Sequence, residues 1–456
     1  MRIYFPIEVK NRELIARVYF ALRCALKGAS VVIGTKNVLL RKMNLMRKGI
    51  IFFKSIQPNQ YQHIKKFRNC GFKIASLDEE GLMFFTDENY VRRFREENFQ
   101  LTDIYFSWGE KEKKALLSKF KKYEKCIKVV GNSRLDILKR PISKIFSDES
   151  EILRKRYGDF ILLTTKFARH NPIRRGWSTY YIGQLRAGYV ASEHNKQYAI
   201  LSEYHEKRNL KEFINFIKTF SNKFPEKKLV VRIHPAEDRS IWIKNVSKLK
   251  NVYLSYDNLS TNSYILASKF VIQSNCTTSL ESFLLNKLSV NFLPYNNDKV
   301  EYTVPKLVSK NIFSQNEMIE FIKNFEDCEK RQLSEIENNN LKDLAYNVFT
   351  DNCIDQMHEE LEKIFHHKKD KDKFSNIFSF FFFKIENILK NFYFTLTQRS
   401  DFDKGLRKLQ KQKIPSLSLK EITLLKDEIC KKIDVNPQTI KVLEKYPAFY
   451  EFSSSN

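Results

Sequence analysis

Short apolar runs alternate with amphipathic stretches along the first three quarters of the chain, and the spacing predicts strands and helices in turn. Ile3 to Ile7 reads as a strand, Arg12 to Leu26 has helical periodicity, Gly28 breaks it, and Ser30 to Gly34 is a second strand. The alternation continues with a strand over Gly49 to Phe53, a helix over Tyr61 to Asn69 and a strand over Phe72 to Ser76. A helix over Asp87 to Glu97, a strand and turn over Tyr105 to Gly109, and a strand over Lys128 to Val130 close this first unit.

After Pro141 to Ser150 the pattern starts afresh. Strands are expected at Phe160 to Thr164, Leu229 to Ile233, Val252 to Leu254, Phe270 to Gln273 and Ser289 to Pro294. A polar, aromatic loop around Trp177 and Tyr180 and a helix from about Leu210 to Phe220 lie between the first two. Strands that alternate with helices argue for parallel sheets covered on both faces. The expected architecture is α/β, two Rossmann-like units in tandem with a seam near residues 140 to 155.

Ligands of open α/β sheets sit beyond the carboxyl ends of the strands. Four polar clusters fall there: Asp78-Glu79-Glu80-Gly81, Gly131-Asn132-Ser133-Arg134, His234-Pro235 and Thr277-Thr278-Ser279. Adjacent acids can raise one another's pKa and supply a general base, although such pairs before a glycine are usually solvated turns. The Gly-Asn turn is more often only a tight turn. Pro235 can simply end a strand, or can stiffen a loop that aims His234 at a phosphate. Arg232, on the same side of that strand, is a second candidate anion ligand, and a surface arginine is the ordinary alternative. Hydroxyls where a helix begins can cap it or, with its free N–H groups, bind an anion.

Length and charge narrow the partners. A chain of 456 residues implies two to three domains, and 80 Lys+Arg against 53 Asp+Glu, a net +27, favours an anionic partner. The seven cysteines are scattered without metal-ligand spacing, which indicates reduced thiols and no zinc site. Arg12, Glu13, Arg17 and Arg23 break any signal-peptide core. No stretch approaches the roughly 18 apolar residues of a membrane span. A cytoplasmic protein, soluble or peripheral on the inner face of the plasma membrane, is expected. Lysine and arginine spread along the whole chain without a recognisable module argue against nucleic acid.

The order acidic pair with Gly, then His-Pro, then a Ser/Thr cluster, over two α/β units, resembles bacterial sialyltransferases and Kdo transferases of the GT-B fold. The segments Ile3 to Glu8, Gly131 to Asp136 and Cys276-Thr277-Thr278 are also similar to a group of surface carbohydrate biosynthesis proteins. The resemblance covers roughly residues 1 to 350. It implies an inverting, metal-independent transferase in bacterial surface polysaccharide synthesis, with no cofactor beyond a CMP-sugar donor carrying an acidic sugar, and a glycan or glycolipid acceptor. It makes Glu79 the base, with Asp78 and Glu80 as neighbours that leave its identity one residue ambiguous. It makes His234 a phosphate contact that stabilises the leaving group, with Pro235 fixing its loop, and Thr277, Thr278 and Ser279 ligands of the same phosphate; Asn132, Arg134 and Arg232, from the other strand-end clusters, are further candidates for nucleotide or phosphate binding. Thr-Thr-Ser replaces the family's plain Ser-Ser. The rival readings are transfer of a polyol phosphate from a CDP-activated donor, and a noncatalytic basic protein at a membrane surface or on nucleic acid.

Domains are accordingly expected at 1–145 (acceptor side, general base), 146–350 (nucleotide-sugar side) and 351–456 (a helical, basic and aromatic extension). In the last, His366 to Lys373 is a charged linker. Phe374, Ile377, Phe378, Phe381, Phe382, Ile385, Ile388, Leu389 and Phe392 form a helical stripe that either packs on the protein or lies in an anionic membrane interface. Residues 400 to 445 are expected to be mostly helical, and the end at Ser453 to Ser455 to fray.

Overall fold

The computed structural model describes the chain except residues 37–38, 41–45, 83–85, 174–178, 187, 190, 327–330, 366–384, 386–388, 390–416, 447 and 456. Apolar runs buried on both faces form two sheets. In the first, β1 (Arg2–Ile7), β2 (Ser30–Thr35), β3 (Ile50–Phe53), β4 (Lys73–Leu77), β5 (Ile104–Ser107) and β6 (Ile127–Val129) are parallel. In the second, β7 (Phe160–Thr164), β8 (Lys228–Arg232), β9 (Val252–Ser255), β10 (Val271–Gln273), β11 (Ser289–Phe292) and β12 (Lys310–Ile312) run in the order β12-β11-β10-β7-β8-β9, all parallel.

These orders fix where ligands can bind. The first sheet runs β2-β1-β3-β4-β5-β6, so its direction of winding reverses between β1 and β3; the second reverses between β7 and β10. At such switch points the connecting loops diverge to opposite faces and leave a crevice beyond the carboxyl edge. Each crevice is bridged by a lysine. Lys54, after β3, pairs with Glu8, after β1, and Lys166, after β7, donates 2.7 Å to the carbonyl of Asn275, after β10.

The two domains share one buried apolar cluster, since Phe160, Leu162, Val230 and Val271 from one face of the second sheet join the core of the first. The helix Cys353–Ile364 crosses back onto the first domain, where Asp355 pairs with Arg23 and the Ile354 N–H donates to Asp136 at 3.2 Å.

The C-terminal extension is helical over Leu419–Lys432, as expected in kind, but it also carries a hairpin. Strands β13 (Ile440–Tyr446) and β14 (Phe449–Ser454) pair with one another, and β14 lies antiparallel along β2 as an addition to the first sheet. Ser453 and Ser454, expected to fray, are therefore in a strand. Phe449, Tyr450 and Phe452 are buried there, and Glu451 pairs with Arg2 at 3.2 Å. The charged linker at 366 to 373 lies outside the described residues, as does the aromatic stripe apart from Ile385 and Leu389. Among the described residues no helix is long and apolar enough to cross a membrane.

The helix Glu193–Lys223 is three times as long as expected. Its first half buries Tyr198, Ser202, His205, Glu206 and Asn209. These positions keep helical spacing, but most are polar, so a search for apolar periodicity passes over them. Its N-terminus is capped by Ser192, whose hydroxyl accepts from Asn195 N–H at 3.1 Å.

Candidate functional site

The second domain contributes a cationic crevice. β7 ends at Thr164 and leads into Thr165 and Lys166, and β10 is followed by a turn where Asn275 takes a left-handed conformation (φ 48°). Asn275 is fixed on three sides: its N–H donates to Asn291 at 2.8 Å, its side-chain oxygen accepts from Tyr302 N–H, and its amide donates to the Tyr302 carbonyl at 3.1 Å. That rigid turn presents the carbonyl Lys166 binds. The Lys166 ammonium also lies 4.0 Å from the Tyr302 ring centroid. Burial, with the nearby Arg169 charge, lowers the amine to about 8. Arg169 hydrogen-bonds the Tyr302 hydroxyl, packs over Tyr180 and faces Glu206 at 3.6 Å.

His234 stands on the adjoining loop and is exposed. Its N–H donates to the Thr165 hydroxyl at 2.9 Å, and its Nδ1 accepts from Ala236 N–H at 3.1 Å, so a neutral ring carries its proton on Nε2. Beneath it Glu237, fully buried, accepts from Thr165, the Phe167 N–H and the Trp242 indole at 2.7, 2.9 and 3.0 Å. Burial raises this carboxyl to about 7 against those donors.

The Ser/Thr cluster divides. Thr277 and Thr278 open the helix Thr278–Leu284, with Thr277 partly exposed and Thr278 3.1 Å from the Cys276 sulfur. Ser279 is fully buried and donates to the Cys276 carbonyl at 2.8 Å, which ties it to its own turn. Arg232 is engaged within its own domain. Its guanidinium is spent on Thr261, Ser255, Asp257 and the Leu259 carbonyl, and it stacks over Tyr264. Pro235 sits partly buried in the His234 turn.

In the first domain the three acids have three environments. Asp78 is buried, pairs with Arg93 at 3.0 Å and accepts from Tyr90. Glu79 is buried and ion-paired with Arg17, and with Arg134 at 3.3 Å. Burial would raise its pKa, but Arg17, then Arg134 and Arg12, outweigh that and hold it at about 2. A carboxylate clamped in this way is an anchoring anion and a weak proton acceptor. Glu80 is the exposed one, its side chain 53% accessible and 3.3 Å from Arg93. Gly81 is required because a Cβ would meet the Trp108 ring at 2.1 Å, while that indole hydrogen-bonds the Asp78 carbonyl.

Asn132 and Arg134 lie in the turn after β6, where the Asn132 side-chain oxygen accepts from Arg134 N–H at 2.8 Å. Arg134 reaches across the domain boundary to Glu281, 4.0 Å away. Further contacts close one end of the space between the sheets: Arg92 donates to Asn195 and stacks over Tyr198, and Arg95 donates to the Gly188 carbonyl. The charge of Arg169 also acts on Glu80 from the opposite domain. Among the described residues no group of His, Cys, Asp and Glu could hold a metal ion.

Thus the charge of Arg169 reaches Glu80, the His234 loop is tied to Thr165 next to Lys166, and Glu281, in the helix that Thr277 and Thr278 open, faces Arg134; sequence reasoning missed Lys166, Arg169 and Glu281. Lys166 and Arg169 stood in a polar run that begins at a strand's carboxyl end, and that position was the available signal. Arg17 and Glu237 had none, since a charged residue in a helix or turn reads as solvated.

No protein-family model matches the chain, and no curated protein matches its sequence. Solved structures do. The chain is similar to the UDP-GlcNAc 2-epimerase of Methanocaldococcus jannaschii (TM-score 0.50, 13% identity, covering 80% of this chain and all of the other). A second structure of that enzyme, with UDP-GlcNAc and UDP, gives 0.49 at 12% identity, with 80% of this chain and all of the other covered. The Neisseria meningitidis enzyme bound to UDP-GlcNAc gives 0.46 at 14%, covering 80% and 100%. At such identities the likeness describes the fold, which is of GT-B type. The donor expected from the resemblance is corrected here. The similar structure at TM-score 0.50 is of a UDP-GlcNAc 2-epimerase and not of a CMP-sugar transferase.

Proposed function

We propose that the protein is an enzyme of nucleoside-diphosphate sugars, with glycosyl transfer as its reaction and a uridine nucleotide as its donor carrier. The observation that carries this is the pair Lys166 and Arg169 at the β7/β10 switch point, with the charge of Arg169 acting on Glu80 of the other domain. Two cations, with the ring Nε2–H of exposed His234 and the partly exposed Thr277 on neighbouring strand ends, suit a diphosphate, whose growing negative charge they would neutralise as it leaves the sugar. Glu80 is the carboxylate of the acidic turn that is open to a substrate. It would take the proton of an acceptor hydroxyl while that oxygen bonds to the anomeric carbon and the bond to the diphosphate breaks. Uridine is supported by the ligands named for the similarly folded epimerases. Those folds also support a second reading, epimerisation of the donor itself.

The test is calorimetric titration with UDP and CMP, followed by NMR of products from UDP-GlcNAc with and without acceptor glycans. Binding of UDP that is lost in Lys166→Met and Arg169→Met supports the site. A changed sugar configuration without acceptor selects epimerisation, and no binding of UDP by the folded protein rejects the proposal.

A further inference from the structure

We infer that Arg17, Asn132, Ser133 and Arg134 form a receptor for an anionic group, carboxylate or phosphate, on the second substrate of the cleft. Arg17 and Arg134 hold one carboxylate, Glu79, and Asn132 and Ser133 stand directly before Arg134 in the turn after β6. Arg17 and Arg134 each spend a terminal nitrogen on Glu79, yet the Nε of each has no hydrogen-bond acceptor. The Asn132 amide nitrogen and the Ser133 hydroxyl are also without a partner. All four side chains are more than nine-tenths buried. A buried donor left unmet costs about 1–3 kcal/mol, and a charged one more.

The orphaned groups have one character. Each is a donor, and two belong to guanidiniums, so the ligand they fit is rich in acceptors and negatively charged. The local charges agree. Three guanidiniums, Arg12, Arg17 and Arg134, face Glu13 and Glu79, with Arg17 and Arg134 sharing Glu79, and the remaining positive charge is met by Glu281 of the second domain, 4.0 Å from Arg134 and at the limit of an ion pair. Glu281 stands where an outside anion would complete the set. The donors lie beneath the contact between the helix Thr278–Leu284 and the turn Ser133–Leu138. That contact loosens when the anion enters, and Glu281 is the group it displaces. Lys166 and Arg169 lie in the other domain, so this receptor is separate from the diphosphate site. The proposal rests on the cleft being the substrate site and is independent of which nucleotide binds there.

The experiment uses the full chain carrying Lys166→Met, so that the second domain's cations contribute less, and titrates inorganic phosphate, glucuronate and, as a neutral control, glucose. Phosphate or glucuronate should bind and glucose should not; whichever anion is tighter names the headgroup. Ser133→Ala and Asn132→Asp in that background should each weaken the anion by about 10-fold or more. In the chain with native Lys166 they should leave UDP affinity unchanged. Asn132→Asp keeps the oxygen that accepts from Arg134 N–H and adds a repelling charge, and Ser133→Ala serves alone where the aspartate variant fails to fold. No binding of either anion, or equal binding in the folded variants, overturns the receptor. Loss of UDP binding with anion binding retained would instead overturn the nucleotide reading and leave this one standing.

Discussion

The hydroxyl of Thr165 accepts the backbone N–H of His234 at 2.9 Å while donating to the buried carboxyl of Glu237 at 2.7 Å. One side chain thereby joins the loop after β7 to the loop after β8 and sets where the imidazole stands. Thr165→Val keeps the shape and removes both bonds. It should lower stability by about 1–3 kcal/mol and weaken UDP binding, read by urea denaturation and calorimetry. Unchanged affinity with the expected loss of stability would leave Thr165 a structural residue only.

Glu79 and Glu80 should separate cleanly. Glu79→Gln leaves the buried charges of Arg17 and Arg134 without their anion, at a cost of about 3–5 kcal/mol in denaturation experiments. Glu80→Gln touches an exposed group and should leave the melting curve unchanged while turnover falls about 10²- to 10⁴-fold. A stable Glu79→Gln variant, or an active Glu80→Gln variant, would reverse these roles.

The pH dependence follows from the same groups. Glu79 has a native pKa near 2, below its unfolded value, so its stabilising contribution is present above pH about 4.5 and is lost as pH falls toward 2. In Glu79→Gln that acid-linked loss should disappear. Lys166 titrates near 8, so UDP affinity should be full below that value and fall as pH rises through it. Lys166→Arg, charged throughout, should flatten the profile measured between pH about 7 and 9.

Removing the C-terminal hairpin should unsettle the first domain. Phe449, Tyr450 and Phe452 are buried against it, and aromatic burial at about 1.5–3 kcal/mol per side chain makes the loss several kcal/mol. A chain ending at Asp372 should therefore melt well below the full protein, unlike a simple loss of an anchor. Membrane association through Phe374 to Phe392 is better tested by deleting that segment alone. Lost flotation on anionic liposomes with an unchanged melting temperature is the expected outcome, and retained flotation counts against it.

What the sequence determined by itself is the alternation. Apolar runs such as Phe160 to Thr164 and Leu229 to Ile233 can be buried on both faces only inside parallel sheets, and the polar clusters at their ends are placed by chain direction alone. Two Rossmann-like units of GT-B type, and the neighbourhoods of Glu80, His234 and Thr277, were legible for that reason. Tertiary structure decided which charges are available. The three consecutive acids Asp78, Glu79 and Glu80 look equivalent in sequence, yet Arg93, Arg17 and Arg134, drawn from distant segments, bury two of them and leave one open. The polar stripe of the helix Glu193–Lys223 and the pairing of β14 with β2 were hidden in the same way. These ion pairs join residues tens of positions apart and the edge strand pairs segments hundreds apart, and only the folded chain brings their charges and backbone groups within reach.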